Sequence, residues 1–112
     1  MSFYENIFIA RQDLSPSQVD TLIEGYKKLV HDQKGEVEDH EYWGLRTLAY
    51  PIRRNRRGHY VFLKIKAPAK TVSNLRHEMN LSEDVLKSLS IKVDKFEEGP
   101  SIMMQSRSKD NE

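Results

Sequence analysis

The chain has 112 residues, which is room for one domain with a single core and no second. It has no cysteine, which excludes disulfides and thiolate metal sites and suits a reducing cytoplasm or organelle matrix. Its formal net charge is only +1, yet Tyr42 to His77 holds nine Lys or Arg and no acid while both flanking segments are net acidic, so the charge is segregated rather than sparse.

No apolar run approaches the roughly 20 residues of a membrane span. No basic region precedes an apolar one at the N-terminus, as a secretory signal would require. No repeat recurs at a solenoid period.

Phe3 to Ala10 is rich in aromatic and β-branched residues and predicts a strand. Phe3, Ile7 and Ile9 fall on one face and Tyr4, Phe8 and Ala10 on the other, the pattern of a central strand covered twice. Ser15, Pro16 and Gln18 form a capping-box start, and Val19, Leu22, Ile23, Tyr26, Leu29 and Val30 then make one helical stripe. Gly35 is the expected left-handed stop.

Glu36 to Ile52 reads as extended. Val37, Trp43 and Leu45 share one parity, and Leu48, Tyr50 and Ile52 the other, so a bulge is expected near Gly44–Thr47. An arginine-rich turn ending at Gly58 leads into a partner strand, His59 to Ala67, giving an antiparallel hairpin. Pro68 opens a second helix with a poor cap at Ala67, an inner face of Val72, Leu75 and Met79, and Asn80 as its stop. A last strand runs from about Val85 to Phe96, with Leu89, Ile91 and Val93 alternating with Ser90, Lys92 and Asp94.

The order β-α-β-β-α-β with right-handed crossovers predicts an α+β, ferredoxin-like split βαβ domain over 1–96. It has a four-stranded antiparallel sheet with two helices on one face, followed by a disordered tail over 97–112. Two helices cover one side only, while the central strands are apolar on both. The uncovered side therefore calls for a partner.

Arg53, Arg54, Arg56 and Arg57 place four guanidinium groups within five residues. They repel one another unless a polyanion neutralises them, and phosphate matches their planar fork. Two arginines would fit a solvated turn; four within 36 residues free of acid fit a nucleic-acid clamp, with His59 beside it. Trp43, Tyr50, Tyr60 and Phe62 lie near Lys64 and Lys66. They would either stack single-stranded bases or pack against protein, and the aromatic-glycine signature of RNA-recognition domains is missing.

His31, His40, His59 and His77 have no ligand spacing, so no metal site is expected. No serine sits in a glycine elbow, and no glycine-rich loop offers a nucleotide phosphate a seat. An acylphosphatase-type enzyme would share the topology, but Arg11-Gln12-Asp13 stands where its anion loop belongs. No cofactor or small-molecule substrate is expected. Ile102-Met103-Met104 is an apolar triplet in the polar tail, either incidental or a short clip that orders on a neighbouring surface.

The run Trp43-Gly44-Leu45-Arg46-Thr47-Leu48-Ala49-Tyr50-Pro51-Ile52, followed by Arg53 and Arg54, resembles the signature of the bacterial small-subunit ribosomal protein six family. Tyr4-Glu5, Pro68 and Ser82-Glu83-Asp84-Val85-Leu86 extend the resemblance over about 3–96, and Phe8-Ile9-Ala10-Arg11-Gln12-Asp13 is similar to the proteobacterial branch. Thr47 stands where many members carry a charged or amide side chain.

The resemblance implies a non-catalytic component of the small subunit, in the cytoplasm or an organelle matrix. It implies a heterodimer with small-subunit ribosomal protein eighteen, bound to the central platform domain of small-subunit rRNA. Phosphate contact would come from Arg46, Arg53, Arg54, Arg56 and Arg57, with His59 and Lys64 as further RNA candidates. Protein contact would come from Tyr50, Tyr60, Phe62, Ile102, Met103 and Met104. The rival is a non-ribosomal ferredoxin-like binding or regulatory module, which would need a pocket of convergent polar groups or a self-complementary edge.

Overall fold

The computed structural model describes residues 1–94. The expected tail over 97–112, with Ile102, Met103 and Met104, lies outside the described residues, as do Lys95 and Phe96. The elements are β1 (Ser2–Arg11), α1 (Pro16–Asp32), β2 (Glu36–Ile52), β3 (Asn55–Ala67), α2 (Ala69–Leu81) and β4 (Val85–Val93). The strands form one antiparallel sheet in the order β2-β3-β1-β4, so both helices act as crossovers and the ferredoxin-like expectation holds.

The main core lies between the helices and one sheet face. Val19, Ile23, Tyr26 and Val30 of α1 and Val72, Leu75 and Met79 of α2 meet Phe8, Val61, Leu63 and Ile65. Each fully buried large apolar side chain contributes roughly 1.5–3 kcal/mol. Phe8 and Tyr26 meet edge to face, centroids 5.4 Å apart.

α1 begins as its sequence dictates. Gln18 N donates to Ser15 Oγ at 3.2 Å and Ser15 N donates to Gln18 Oε1 at 2.8 Å. Its end differs from the expectation. The left-handed residue is Lys34 (φ 67°), while Gly35 is needed for space: an added Cβ would lie 2.6 Å from Ala67 Cβ. α2 is capped by Pro68, with no side-chain hydrogen bond, and runs past Asn80 to Leu81. Thr71 Oγ1 donates to Gln33 O at 2.7 Å and ties the second helix to the end of the first.

β2 breaks register with β3 three times, between Val37 and Asp39, between Tyr42 and Gly44, and between Thr47 and Ile52. The single bulge expected near Gly44–Thr47 thus centres one residue earlier, on Trp43, with Gly44 at φ 89° supplying the left-handed backbone beside it. Trp43 consequently leaves the parity of Val37 and Leu45 and joins the uncovered face over Phe62.

The last break has a larger consequence. Five steps of β2 from Thr47 to Ile52 oppose two steps of β3, and the surplus lets the strand curl over the uncovered face. Leu48 reaches Ile9 and Leu86 in a second small core, although β2 and β4 are opposite edges of the sheet.

Candidate nucleic-acid interface

The hairpin turn consists of two residues, Arg53 and Arg54, both left-handed (φ 48° and 69°), between the paired Ile52 and Asn55. This is the backbone of a two-residue hairpin whose twist matches its strands. The expected turn ending at Gly58 is therefore shorter, and Arg56 and Arg57 belong to β3. Alternation along that strand sends these two guanidiniums to opposite sides.

The tip is braced rather than free. Gln12 Oε1 accepts from Arg56 N (3.2 Å) and Arg57 N (3.1 Å), and Gln12 N donates to Asn55 Oδ1 (3.0 Å). Asn55 Nδ2 donates to the Ile52 and Arg53 carbonyls at 3.2 and 3.1 Å. Arg53 Nη1 donates to Val85 O at 3.3 Å, so the curled hairpin touches β4 across the sheet. The ribbon folds over the end of the sheet and holds its arginines there.

Arg53, Arg54, Arg56 and Arg57 are all exposed, and among the described residues none is ion-paired. Two carboxylates at this end, Asp13 and Asp84, are already engaged. Arg11 Nε binds Asp84 Oδ1 at 2.7 Å, and Arg11 Nη1 binds Asp13. Those bonds, to Asp84 first and then Asp13, raise the Arg11 pKa further above its ordinary value. Arg46 sits lower on the hairpin, half-buried, with Nε donating to Trp43 O at 3.0 Å.

Two candidates do not join this group. His59 is 3% exposed, and Leu14 O, which can only accept, takes a proton from Nε2 at 2.7 Å. Nδ1 is then left to accept from Tyr42 Oη at 2.7 Å, whose phenol stays protonated because burial, and then Asp20, raise its pKa. Both ring nitrogens are committed, so His59 is a structural link between the hairpin and the loop carrying Gln12.

Lys64 is seven residues from Arg57, about 23 Å along the strand, and half-buried between Glu5 on β1 and Asp39 on β2. Glu5 is 1% exposed, and a carboxylate so buried needs a cation beside it. Lys66 likewise faces Glu36. Within the acid-free stretch, Lys64 and Lys66 are thus compensated by neighbouring strands, while the arginines of the hairpin end are not.

The uncovered face carries Tyr50 (60% exposed), Leu89 (49%) and Ile91 (41%), with Tyr60 half-buried among them. Lys87 Nζ lies 6.0 Å from the Tyr50 ring centroid. Phe62 is on this face but fully buried under Trp43, so its ring is not available to a partner. Leu89 and Ile91 were visible in the alternation of the last strand, but nothing in sequence says which face they take. Gln12 carried no signal of its bracing role, nor Arg11 of its hold on Asp84, because those partners are more than 40 positions away.

Comparison with known proteins agrees with this architecture. The fold is similar to the crystal structure of 30S ribosomal protein S6 from Thermotoga maritima, with TM-score 0.76 and 17% identity over 98% of this chain and 96% of that one. Small ribosomal subunit protein bS6 of Paramagnetospirillum magneticum is 50% identical over 111 residues, 99% of this chain and 77% of its own length. The bS6 proteins of Cereibacter sphaeroides and Dinoroseobacter shibae are 53% and 50% identical, each over 96% of this chain and over 81% and 92% of their own lengths. The profile of the family described as Ribosomal protein S6 matches residues 3–92. The chain belongs to the ribosomal protein S6 family.

Proposed function

We propose that the chain binds the central platform domain of small-subunit rRNA through Arg53, Arg54, Arg56 and Arg57, with Arg46 in support, as a heterodimer with small-subunit ribosomal protein eighteen. Family membership already makes it a structural protein of the small ribosomal subunit, placed on the cytoplasmic ribosome and not an enzyme. The observation that carries the RNA reading is the braced left-handed turn and the strand start behind it, which hold four exposed guanidiniums, none of them ion-paired among the described residues. Repulsion among such charges makes the site a ready host for closely spaced phosphates. The apolar patch of Tyr50, Leu89 and Ile91, with Tyr60 behind it, supports a protein partner on the uncovered face.

The test is a salt series. Replacing the four tip arginines with Gln should leave the fold intact, because exposed charges add little to stability. Binding to a platform rRNA fragment, with protein eighteen present, should weaken, and the slope of log affinity against log salt should fall by roughly 0.7–0.9 for each phosphate no longer neutralised. An unchanged slope would sink the assignment.

A further inference from the structure

A cavity of about 290 Å³ opens between α2 and β4, on the helical side of the sheet. Arg76, the last base of the acid-free stretch, and Lys92 of β4 both line it. Hydroxyls of Ser73, Ser90 and Tyr4 line it too, above an apolar floor that includes Val72, and no carboxylate takes part.

Three features make this a built site rather than a chance pairing of cations. Tyr4 is 9% exposed, yet its hydroxyl makes no hydrogen bond among the described residues. Ser90 Oγ already accepts from Asn6 Nδ2 at 2.8 Å, so its own proton is left to donate elsewhere. The first turn of α2 reaches the rim at Ala69; this turn has no acid of its own and no side-chain cap, and although Thr71 N and Val72 N bond Pro68 O, its peptide dipoles favour an anion there.

We propose that this cavity binds a phosphate group. Hydroxyl donors, a guanidinium, an ammonium and a helix N-terminus, with no acceptor opposed to them, suit a multiply charged oxyanion. The site is distinct from the hairpin: Tyr4 lies seven residues from Arg11 along β1, about 23 Å from that end of the sheet. The phosphate could belong to the rRNA backbone or to a small phosphorylated molecule.

The experiment has two arms. In the first, the full-length chain is titrated with inorganic phosphate against chloride at matched ionic strength, followed by NMR. Saturable shifts are expected at Tyr4, Ser73, Arg76, Ser90 and Lys92. Affinity should weaken about tenfold in Arg76→Gln/Lys92→Gln, the size of one charge-assisted hydrogen bond. Tyr4→Phe should also weaken it although charge is unchanged, which separates a built site from a diffuse ion atmosphere.

In the second arm, Arg76→Gln/Lys92→Gln is assayed on the platform rRNA fragment. Weaker binding with a shallower salt slope assigns the phosphate to rRNA; unchanged binding assigns it to a small ligand. Absence of saturable shifts in the wild-type chain, or shifts that persist undiminished in all variants, overturns the proposal. The hairpin reading is untouched by either result, since it stands on the four tip arginines.

Discussion

The indole of Trp43 lies over the ring of Phe62, with centroids 5.9 Å apart and planes 13° from parallel. A bulge puts it there, and it keeps Phe62 wholly buried on a face that no helix covers. Trp43→Ala should therefore lower stability by about 2–4 kcal/mol in urea unfolding, because the stacking disappears and Phe62 is uncovered. The indole N–H is buried with no partner among the described residues. Trp43→Phe should accordingly cost less than about 1.5 kcal/mol, because it removes an unmet donor along with some area. Equal losses for the two variants would contradict this account.

Gln12 holds the hairpin from outside it. Gln12→Ala leaves Arg56 N and Arg57 N without their acceptor, and stability should fall by only about 1 kcal/mol because water can replace it at this exposed site. The local effect should be larger: amide exchange at Arg56 and Arg57 should accelerate, and rRNA affinity should drop although no charge has been removed. Unchanged exchange at these two amides would remove the bracing role.

Arg11 acts on the site through charge. Arg11→Met releases Asp13 and Asp84, which then compete for the tip arginines. Affinity for rRNA should fall several-fold at low salt, and the difference should shrink as salt rises and the Debye length contracts to about 8 Å. A deficit that does not respond to salt would indicate misfolding instead, which thermal unfolding would reveal.

Tyr26 gives stability an alkaline limit. Burial raises its pKa, outweighing a hydrogen bond with Ser82 that lowers it, and nearby Asp84 and Glu78 add to the rise. The unfolded phenol ionises near pH 10 and the folded one later, so the contribution is complete below about 10 and is lost as pH climbs through the folded value. Tyr42 behaves alike. Tyr26→Phe should remove part of the fall in stability above pH 10, and Tyr26→Phe/Tyr42→Phe most of it. A double variant with the wild-type alkaline profile would refute the assignment.

The chain itself determined its elements, because their signals are local. The Ser15–Gln18 box starts α1, the stripe from Val19 to Val30 chooses its buried face, and period-two alternation marks β3. Element order then fixed the sheet, since right-handed crossovers leave β1 and β3 at its centre. The arginine cluster was legible too, as composition requires no folding to be seen.

What only the tertiary structure decided is how charge and surface are shared between strands distant in sequence. Glu5 and Asp39 flank Lys64, and Arg11 withdraws Asp13 and Asp84 from the hairpin. The bulged end of β2 curls until Leu48 meets Leu86. His59 lies beside the arginines in sequence but turns inward, because strand alternation points it at Leu14. Periodicity along a chain says that faces alternate. Which face meets a carboxylate, a ring or water is settled only when the strands pair, since those meetings depend on register between segments 40 or more residues apart.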